Sequence, residues 1–506
     1  MANFKELAKD TVIYGASSII GRFLNYLLVP LYTYRITAAS GGYGVITNMY
    51  AYTALLLVLL TYGMETTMFR FANKQGGNPD KVFATVARMV ACTSAVFVAL
   101  VCVFLGPISS AMGYPDNPYY IWTMAVVVAL DAFQAILFSY LRYQKRAIRF
   151  AALKLLFIGL NILLNLTFFV LLPDLYARSP ELAGRIYNPG IGVGYVFYIN
   201  LFCTAFVGLF FWKEMRKAFF WKAPEGEKTF DGAFIRELLS YSWPILVFGI
   251  AGILNQTADK ILFPHIYRQP DAAAQLGIYG AASKIAMIMA MITQAFRYAY
   301  EPFVFGNSKE ADSRETNAKG MKYFVIFTLL AFLCVIAYMD ILRYVIQKDY
   351  WDGLRVVPIV MAAEMMMGIV FNLSFWYKLT DKTIWGAVFS GAGCAVLIVV
   401  NVLFVPRFGY MACAWGGFAG YATAMLLSYF VGQKKYPIAY PLRQMGAYLA
   451  LAMLLFAGMT ASNRYLGIVL AVALNTVLVV VFAVYIVKKD LPLSAIPVIG
   501  RYFRKK

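Results

Sequence analysis

Residues 43–66 read YGVITNMYAYTALLLVLLTYGMET, and Glu65 is their single charged residue. A helix needs about 20 predominantly apolar residues to cross the hydrocarbon core of a bilayer, so this stretch is long enough to span one. The whole chain shares this character, with 61% hydrophobic residues, 14% charged residues and a mean hydropathy of +0.67. Soluble proteins carry about 25% charged residues. The sequence therefore predicts a polytopic membrane protein.

Similar apolar runs recur along the chain and predict an all-α fold of about fourteen transmembrane helices. The predicted spans are 11–34, 43–66, 83–106, 118–141, 149–173, 190–212, 239–262, 272–299, 322–342, 356–377, 383–405, 410–432, 444–462 and 465–487. The six cysteines fall within these spans without CxxC spacing, so we interpret them as small packing residues rather than metal ligands or disulfides.

The longest connection between spans is charged and divides the chain into two halves. Shifting the sequence by 233 or 234 residues places Gly15 on Gly249, Pro30 on Pro264 and Gly44 on Gly277, which indicates an internal duplication. We therefore predict two pseudo-symmetric six-helix lobes around a central cavity, followed by two additional helices. The predicted domains are an N-terminal lobe at 1–212, a cytoplasmic linker at 213–238, a C-terminal lobe at 239–432, and a region at 433–506 with two spans and a basic tail.

The positive charges of the chain predict its orientation in the membrane. A cytoplasmic N-terminus places about 30 of the 45 Lys and Arg residues in cytoplasmic segments and about 9 outside, as the positive-inside rule requires. An even number of spans also returns the C-terminus to the cytoplasm. We interpret clusters such as Arg70, Lys74 and Lys81 as topological signals. The net charge of +20 does not indicate nucleic-acid binding, because no basic stripe is interleaved with exposed aromatic residues.

Six further cations interrupt the apolar spans: Arg22, Arg88, Lys154, Lys260, Lys284 and Arg297. Each cation at the centre of a membrane costs about 2.5 to 3.5 kcal/mol, and such residues usually face a bundle interior or a watery cavity. All six lie in the first 300 residues. The pattern predicts a positively charged chamber and therefore an anionic cargo.

Several motifs resemble the polysaccharide-transporter branch of the multidrug/oligosaccharidyl-lipid/polysaccharide (MOP) exporter superfamily. They are YGASSIIGRFLN at 14–25, PLY at 30–32, GYG at 42–44, TYGME at 61–65, FRYAYEPF at 296–303, YWDGL at 350–354, and Asn401 with PRFGY at 406–410. The resemblance implies a flippase that moves undecaprenyl-pyrophosphate-linked oligosaccharides across the bacterial inner membrane by alternating access. Its partners would be this lipid-linked sugar, the membrane lipids and the polysaccharide assembly enzymes.

The predicted substrate site is a cationic cavity, because Arg and Lys form strong charge-assisted hydrogen bonds with phosphate. We assign to it Arg22, Asn25, Tyr26, Lys260, Lys284 and Arg297. Arg22, Asn25 and Tyr26 share one helix face. For Arg22 the alternative is a structural ion pair, and for Lys260 it is neutralisation by the adjacent Asp259. Arg88 and Lys154 lie near span ends, where long side chains can reach the membrane surface.

The carboxylates within the spans suggest a gate and an ion pathway. The repeat places position 65 opposite 298, so we predict that Glu65 pairs with Arg297 and helps to close the inner gate; the alternative is a separate partner for each. Asp131, Asp259 and Glu364 are candidates for H+ or Na+ coupling, since intramembrane acids often mark ion pathways. Local ion pairing is the simpler explanation for these acids. No other cofactor is predicted.

Other functions fit the sequence less well. A lipid II flippase or a multidrug or cation antiporter of the same superfamily is the main alternative, although a chamber of Arg and Lys would repel cationic drugs. A glycan polymerase or ligase would need a large external loop for its catalytic groups, whereas the predicted external loops are short. His265 is the single histidine, and the chain has no GxxxxGK phosphate loop. We therefore expect a transporter rather than an enzyme.

Overall fold

The computed structural model describes residues 24, 26–74, 78–222, 231–306, 313–380 and 382–490. Within these ranges the chain is helical and contains no β-strand. The main helices are α1 (Leu28–Arg35), α2 (Gly42–Thr61), α3 (Met64–Ala72), α4 (Pro79–Val103), α5 (Pro118–Tyr143), α6 (Ala147–Leu166), α7 (Gly194–Leu209), α8 (Trp212–Phe220), α9 (Gly232–Ile266), α10 (Ala272–Gly306), α11 (Ser313–Ala337), α12 (Val357–Leu373), α13 (Ile384–Phe408), α14 (Tyr410–Lys435), α15 (Leu442–Tyr465) and α16 (Ile468–Lys489). Shorter helical segments lie at Ala38–Ser40, Leu105–Ala111, Thr167–Leu171, Leu172–Arg178, Pro180–Ala183, Pro189–Ile191, Met339–Leu342, Arg343–Val345, Lys348–Val356 and Phe375–Leu379.

The predicted all-α membrane fold is confirmed. In the described part of the chain, 11 helical stretches are long and apolar enough to cross a membrane, and the bent pair α7 and α8 makes a twelfth if it counts as one span. The predicted span at 11–34 lies mostly outside the described residues. The span predicted at 410–432 forms α14, a helix of 26 residues that is not among the 11. The described helices are compatible with the predicted count of about fourteen, and the exact number stays a prediction.

The described residues form two compact units. Unit 1 extends to Ala281 and includes Ser390–Gly417, whereas unit 2 consists of Ala282–Phe389 and the residues from Phe418 onward. The lobe boundaries inferred from the sequence repeat remain a prediction.

The core of unit 1 forms where α3, α4 and α5 pack together. Met64, Phe83 and Leu137 are fully buried there, and the Phe83 ring stacks on Tyr140 with 3.8 Å between ring centroids. Helix α5 supplies buried residues along most of its length, which is typical of a span surrounded by other helices. The site described below is built on this scaffold.

Helix α8 bends by 70° from α7 because its residues cannot continue into hydrocarbon. The sequence of α8 is WKEMRKAFF. The carboxylate of its Glu214 forms a salt bridge with Arg149, with 2.6 Å between Oε1 and Nη1. Arg88 fixes the other end of α8, since its guanidinium donates hydrogen bonds to the carbonyls of Ala218, Phe219 and Trp221 at 2.8, 3.2 and 2.9 Å. These bonds satisfy carbonyls that a helix C-terminus leaves without partners. Arg88 therefore has a structural role.

The first turns of α2 and α10 approach each other closely at glycine. A Cβ at Gly44 would overlap the carbonyl oxygen of Ala273, and a Cβ at Gly277 would lie 3.0 Å from the Gly44 nitrogen. Thr47 and Gly280 meet in the same register, three residues further along each helix. Both contacts join positions 233 residues apart, the spacing of the sequence repeat. Equivalent residues can touch in this way where a two-fold axis passes between two parallel helices, which agrees with the predicted duplication.

In unit 2, a polar cluster joins the last two helices to α11. Lys322 on α11 lies 2.6 Å from Asp490, directly after α16, and the hydroxyl of Tyr448 on α15 donates to the same carboxylate at 2.6 Å. Burial disfavours the charge on Asp490, but the hydrogen bonds from Lys322 and Tyr448 outweigh it and lower the pKa of Asp490 below its ordinary value. The helices α15 and α16 are thus integral parts of unit 2.

Candidate functional site

A group of charged residues lies inside the membrane-spanning part of unit 1. Glu65, in the first turn of α3, accepts a hydrogen bond from Arg142 near the end of α5, with 3.1 Å between Oε2 and Nη2. Arg142 also donates to the Ser139 hydroxyl at 3.0 Å. About 40% of each charged side chain is exposed. The pair is therefore accessible and is not a buried structural salt bridge.

Lys154 connects this pair to a second carboxylate. Its ammonium lies 4.1 Å from the centroid of the Phe138 ring, and it is close enough to Glu65 and Asp131 for their charges to attract. Asp131 is half-buried and lies 11 residues before Arg142 on α5, a separation of about 16 Å along the helix axis. The charges thus extend from the end of α5 to its middle.

Neutral polar side chains continue inward from Asp131. The Thr204 hydroxyl donates to Asp131 at 3.3 Å, and Asn200, one turn before Thr204 on α7, donates to the Tyr50 hydroxyl at 2.8 Å. Nearby, the Tyr32 hydroxyl donates to Asn165 at 2.7 Å. These residues come from α1, α2, α5, α6 and α7. Their hydrogen bonds let polar groups remain in the interior of the bundle.

The exposed fractions of the four charged side chains indicate whether these residues face lipid or water. Lys154 is exposed, Asp131 is half-buried, and Glu65 and Arg142 are two-fifths exposed, although all four belong to helices that cross the membrane. Charges that faced lipid would each cost about 2.5 to 3.5 kcal/mol. We therefore infer that the space beside them contains water. The four residues together are called the unit 1 charge cluster below.

Lys260 and Asp259 form a second site in unit 1, on α9. The Lys260 ammonium lies 3.1 Å from Asp259, and the Tyr279 hydroxyl donates to the same carboxylate at 2.6 Å. Asn48 on α2 donates to the Lys260 carbonyl at 2.8 Å. Asp259 is almost completely buried, while 23% of the Lys260 side chain is exposed. Lys260 is therefore neutralised by its neighbour, which is the alternative that the sequence left open for this residue.

Three predicted residues belong to unit 2. Lys284 on α10 and Glu364 on α12 are both half-buried. Arg297 is exposed, and its guanidinium lies 4.7 Å from the centroid of the Phe371 ring. Lys378 approaches the same ring at 4.5 Å, so two cations share one aromatic side chain. Their assignment to substrate binding, gating and ion coupling stays a prediction.

The predicted residues of the first span can be placed only in part. Arg22 and Asn25 lie outside the described residues. Tyr26 is half-buried, and its hydroxyl is buried without a hydrogen-bond partner in the described part of the chain. A buried hydroxyl without a partner is costly, so Tyr26 suits a position where it can bind a polar group.

The sequence missed several members of the polar interior. From the sequence alone, Arg142 has no predicted role in a polar interior, and Lys154 lies near a span end from which its side chain can reach the membrane surface. The amides of Asn161, Asn165 and Asn200 were not singled out. Their signal was present, because Asn161 and Asn165 are four residues apart within a predicted span and therefore share one helix face.

Comparison with solved structures identifies known proteins of the same fold. The chain is similar to the structure described as lipid II flippase MurJ, inward closed conformation, with 12% identity, a TM-score of 0.68 and coverage of 94% of this chain and 99% of that one. It is also similar to the MATE multidrug transporter DinF-BH, with 16% identity, a TM-score of 0.60 and coverage of 85% and 95%. A multidrug resistance MATE family transporter of the MOP superfamily matches with 14% identity, a TM-score of 0.58 and coverage of 82% and 94%. The protein has the fold of these transporters.

The family follows from the sequence itself. Residues 7–299 match the model of the family described as polysaccharide biosynthesis protein, so the chain belongs to that family. A comparison with curated protein sequences gives no match. The resemblance to this superfamily that the motifs indicated is therefore confirmed.

The contact between Glu65 and Arg142 generates a test of the predicted gate. Reversing either charge should reduce transport, because like charges would then face each other across 3.1 Å. The double variant Glu65→Arg/Arg142→Glu should recover part of the lost transport rate, whereas Glu65→Arg/Arg297→Glu should not. Transport of a fluorescent lipid-linked sugar in reconstituted vesicles measures both. Recovery only in the Arg297 pair would show that the gate predicted from the sequence is correct and that the Arg142 contact is dispensable.

Proposed function

We propose that the protein is a flippase that carries an undecaprenyl-pyrophosphate-linked oligosaccharide across the bacterial inner membrane. The family supports a role in polysaccharide biosynthesis, and the fold supports transport. The oligosaccharide would be a repeat unit of a polysaccharide. The protein would act without catalytic residues, because carrying the polar part of this lipid through the membrane requires no covalent chemistry.

The unit 1 charge cluster is the observation that carries this proposal. A pyrophosphate and its sugars cannot cross hydrocarbon, so a flippase must offer them a polar path while the lipid tail stays in the membrane. Lys154 and Arg142 are partly exposed cations along such a path. Glu65 and Asp131 balance their charge when no cargo is bound. A phosphate would compete with these carboxylates for the two cations, which makes binding reversible.

Alternating access explains the contact between α2 and α10. According to the proposed orientation, both helices begin on the outer side of the membrane, where Gly44 and Gly277 bring their backbones together. This contact would close the outer end of the path and separate when cargo leaves. Glycine allows a close approach that any side chain would prevent. We propose that this contact acts as the outer gate.

We propose that an ion gradient drives transport. Asp131, Asp259 and Glu364 are acids on membrane-spanning helices and are our candidates for binding H+ or Na+. Asp131 has the clearest rationale, because it lies beside Lys154 and the cation can exchange this carboxylate for phosphate. Both termini would face the cytoplasm, where the glycan precursor and its assembly enzymes are found.

The flippase proposal predicts that removing Lys154 slows translocation. In vesicles containing purified protein and a fluorescent pyrophosphate-linked lipid oligosaccharide, Lys154→Ala should flip the lipid about tenfold more slowly, since a charge-assisted hydrogen bond contributes about 1.5 to 3 kcal/mol. Lys154→Arg should retain most of the rate. Arg22→Ala should also be slow if Arg22 shares the cationic cavity. Dithionite quenching of the outer leaflet measures the rate.

A matched control removes a lysine elsewhere in unit 1. Lys213 is exposed on α8, outside the unit 1 charge cluster, so Lys213→Ala should leave flipping unchanged. The test should include lipid II, because the alternative cargo carries the same pyrophosphate. Absence of flipping by the folded wild-type protein across a panel of such lipids would refute the proposed function.

The outer gate can be tested by joining α2 to α10. A Cβ at Gly280 would lie 3.2 Å from the Thr47 Cβ, slightly less than the roughly 3.5 to 4.5 Å found in disulfides, so a small outward shift would allow the bond. In a background without the native cysteines, Thr47→Cys/Gly280→Cys should crosslink on oxidation and lose flipping, and reduction should restore it. The single variants provide the control for oxidation. Full activity of the crosslinked protein would rule out separation of these helices during transport.

A further inference from the structure

A cavity with a positive lining lies between α3 and α9 of unit 1, apart from the unit 1 charge cluster. It is open to its surroundings and has a volume of about 830 Å3. Its lining consists of Arg70, Phe71, Lys74, Ala233, Arg236, Glu237, Ser240 and Tyr241. Three cations and one carboxylate give the lining a net positive charge. From the sequence alone, Arg70 and Lys74 are interpreted only as topological signals.

The cavity is formed by one face of each helix. On α9, positions 233, 236, 237, 240 and 241 follow the helical spacing of three and four, and 70, 71 and 74 do the same at the end of α3 and just beyond it. The Phe71 ring packs edge-on against Tyr241, with 5.8 Å between ring centroids. This aromatic contact therefore holds the end of α3 against α9, and the cations of the lining lie on these two segments.

Two of the cations are available for a ligand. Among the residues that the structure describes, neither Arg70 nor Arg236 forms an ion pair with a carboxylate. The Arg70 guanidinium lies 4.2 Å from the centroid of the Tyr241 ring. Stacking occupies the face of the guanidinium and leaves the N–H groups at its edge free to bind an anion. Lys74 contacts Glu237 at 3.3 Å, but this pair is more than half exposed and hence weak.

The position of the cavity at the membrane surface indicates which kind of anion it would bind. The membrane-spanning stretch Gly42–Ala72 ends beside Arg70, and the stretch Gly232–Ile266 begins next to Arg236. Both helices therefore reach the membrane surface at this cavity, at the level of the lipid phosphates. The amide groups at the start of α9 are partly satisfied by Asp231, whose side chain accepts a hydrogen bond from the Phe234 N–H at 3.2 Å. Side chains, rather than the helix end, would bind the ligand.

We propose that the cavity between α3 and α9 binds the phosphate of an anionic lipid in the membrane surface, with Arg70 and Arg236 as its main ligands. Arginine suits this role because its planar fork can donate two parallel hydrogen bonds to phosphate oxygens. The phosphate can belong to a phospholipid such as phosphatidylglycerol or to a pyrophosphate lipid that awaits transport. Only binding of a pyrophosphate lipid depends on the proposed flippase function. The experiment measures binding without transport, so the two proposals can fail separately.

The test measures binding of two lipids to the purified full-length chain in detergent. Dioctanoyl phosphatidylglycerol and farnesyl pyrophosphate are the probes, and dioctanoyl phosphatidylcholine, a zwitterion without net charge, is the reference; native mass spectrometry counts bound molecules. In Arg70→Gln/Arg236→Gln, affinity for at least one anionic probe should fall about tenfold or more, as expected for the loss of charge-assisted contacts. Glutamine retains much of the side-chain volume. Thermal unfolding of each variant verifies that it is folded, and Arg70→Lys/Arg236→Lys should keep part of the affinity.

The matched control removes the same charge from α8, where Lys213 and Arg216 are exposed outside the cavity. Lys213→Gln/Arg216→Gln should bind both probes as the wild type does. Loss confined to phosphatidylglycerol assigns the cavity to membrane lipid, and loss of farnesyl pyrophosphate binding assigns it to cargo. Equal loss in the control and cavity variants, or no loss in either, would overturn the proposal, as would tight binding of phosphatidylcholine.

Discussion

The cost of exposing charge to hydrocarbon governs this structure. A protein that crosses the membrane so many times can keep ionised groups in its spans only if they pair with each other or face water. Both solutions occur in unit 1. Asp259 and Lys260 are paired, with Tyr279 as an additional donor, whereas Glu65, Arg142, Lys154 and Asp131 retain substantial exposure. This difference separates a structural ion pair from the charges that we propose line a path for a charged cargo.

The cost of exposing charge to hydrocarbon also explains where one helix of unit 1 bends. Helix α8 leaves the direction of α7 because its charges need the membrane surface, and Arg88 is used to satisfy its last carbonyls. At the opposite ends of the spans, Gly44 and Gly277 let α2 and α10 touch without intervening side chains. Polar groups thus occur where water or a partner residue can satisfy their hydrogen bonds. Small residues occur where two helices approach closely.

Much of the fold followed from the sequence, because each span must supply its own backbone hydrogen bonds and remain apolar over a fixed length. The span quoted from residue 43 is therefore matched by a helical stretch from Gly42 to Ala72. The site was harder to predict. Hydropathy shows that Lys260 and Lys154 are unusual. The partner of Lys260, Asp259, is its neighbour in sequence, whereas packing brings Asp131 and Glu65 near Lys154. The Glu65 partner, Arg142, is 77 residues away and lies on a different helix. Sequence spacing alone contains no information about that contact.

We infer that the unit 1 charge cluster faces water within the membrane, and the reactivity of a thiol placed there shows whether it does. Lys154 would be replaced by Cys in a background without the six native cysteines, and the protein would be treated in sealed vesicles with a charged, membrane-impermeant maleimide. If the cluster faces water, position 154 should be labelled rapidly from the cytoplasmic side and more slowly in the presence of a pyrophosphate lipid. Labelling only by a lipid-soluble maleimide would place this position in hydrocarbon and show that the cluster does not face water.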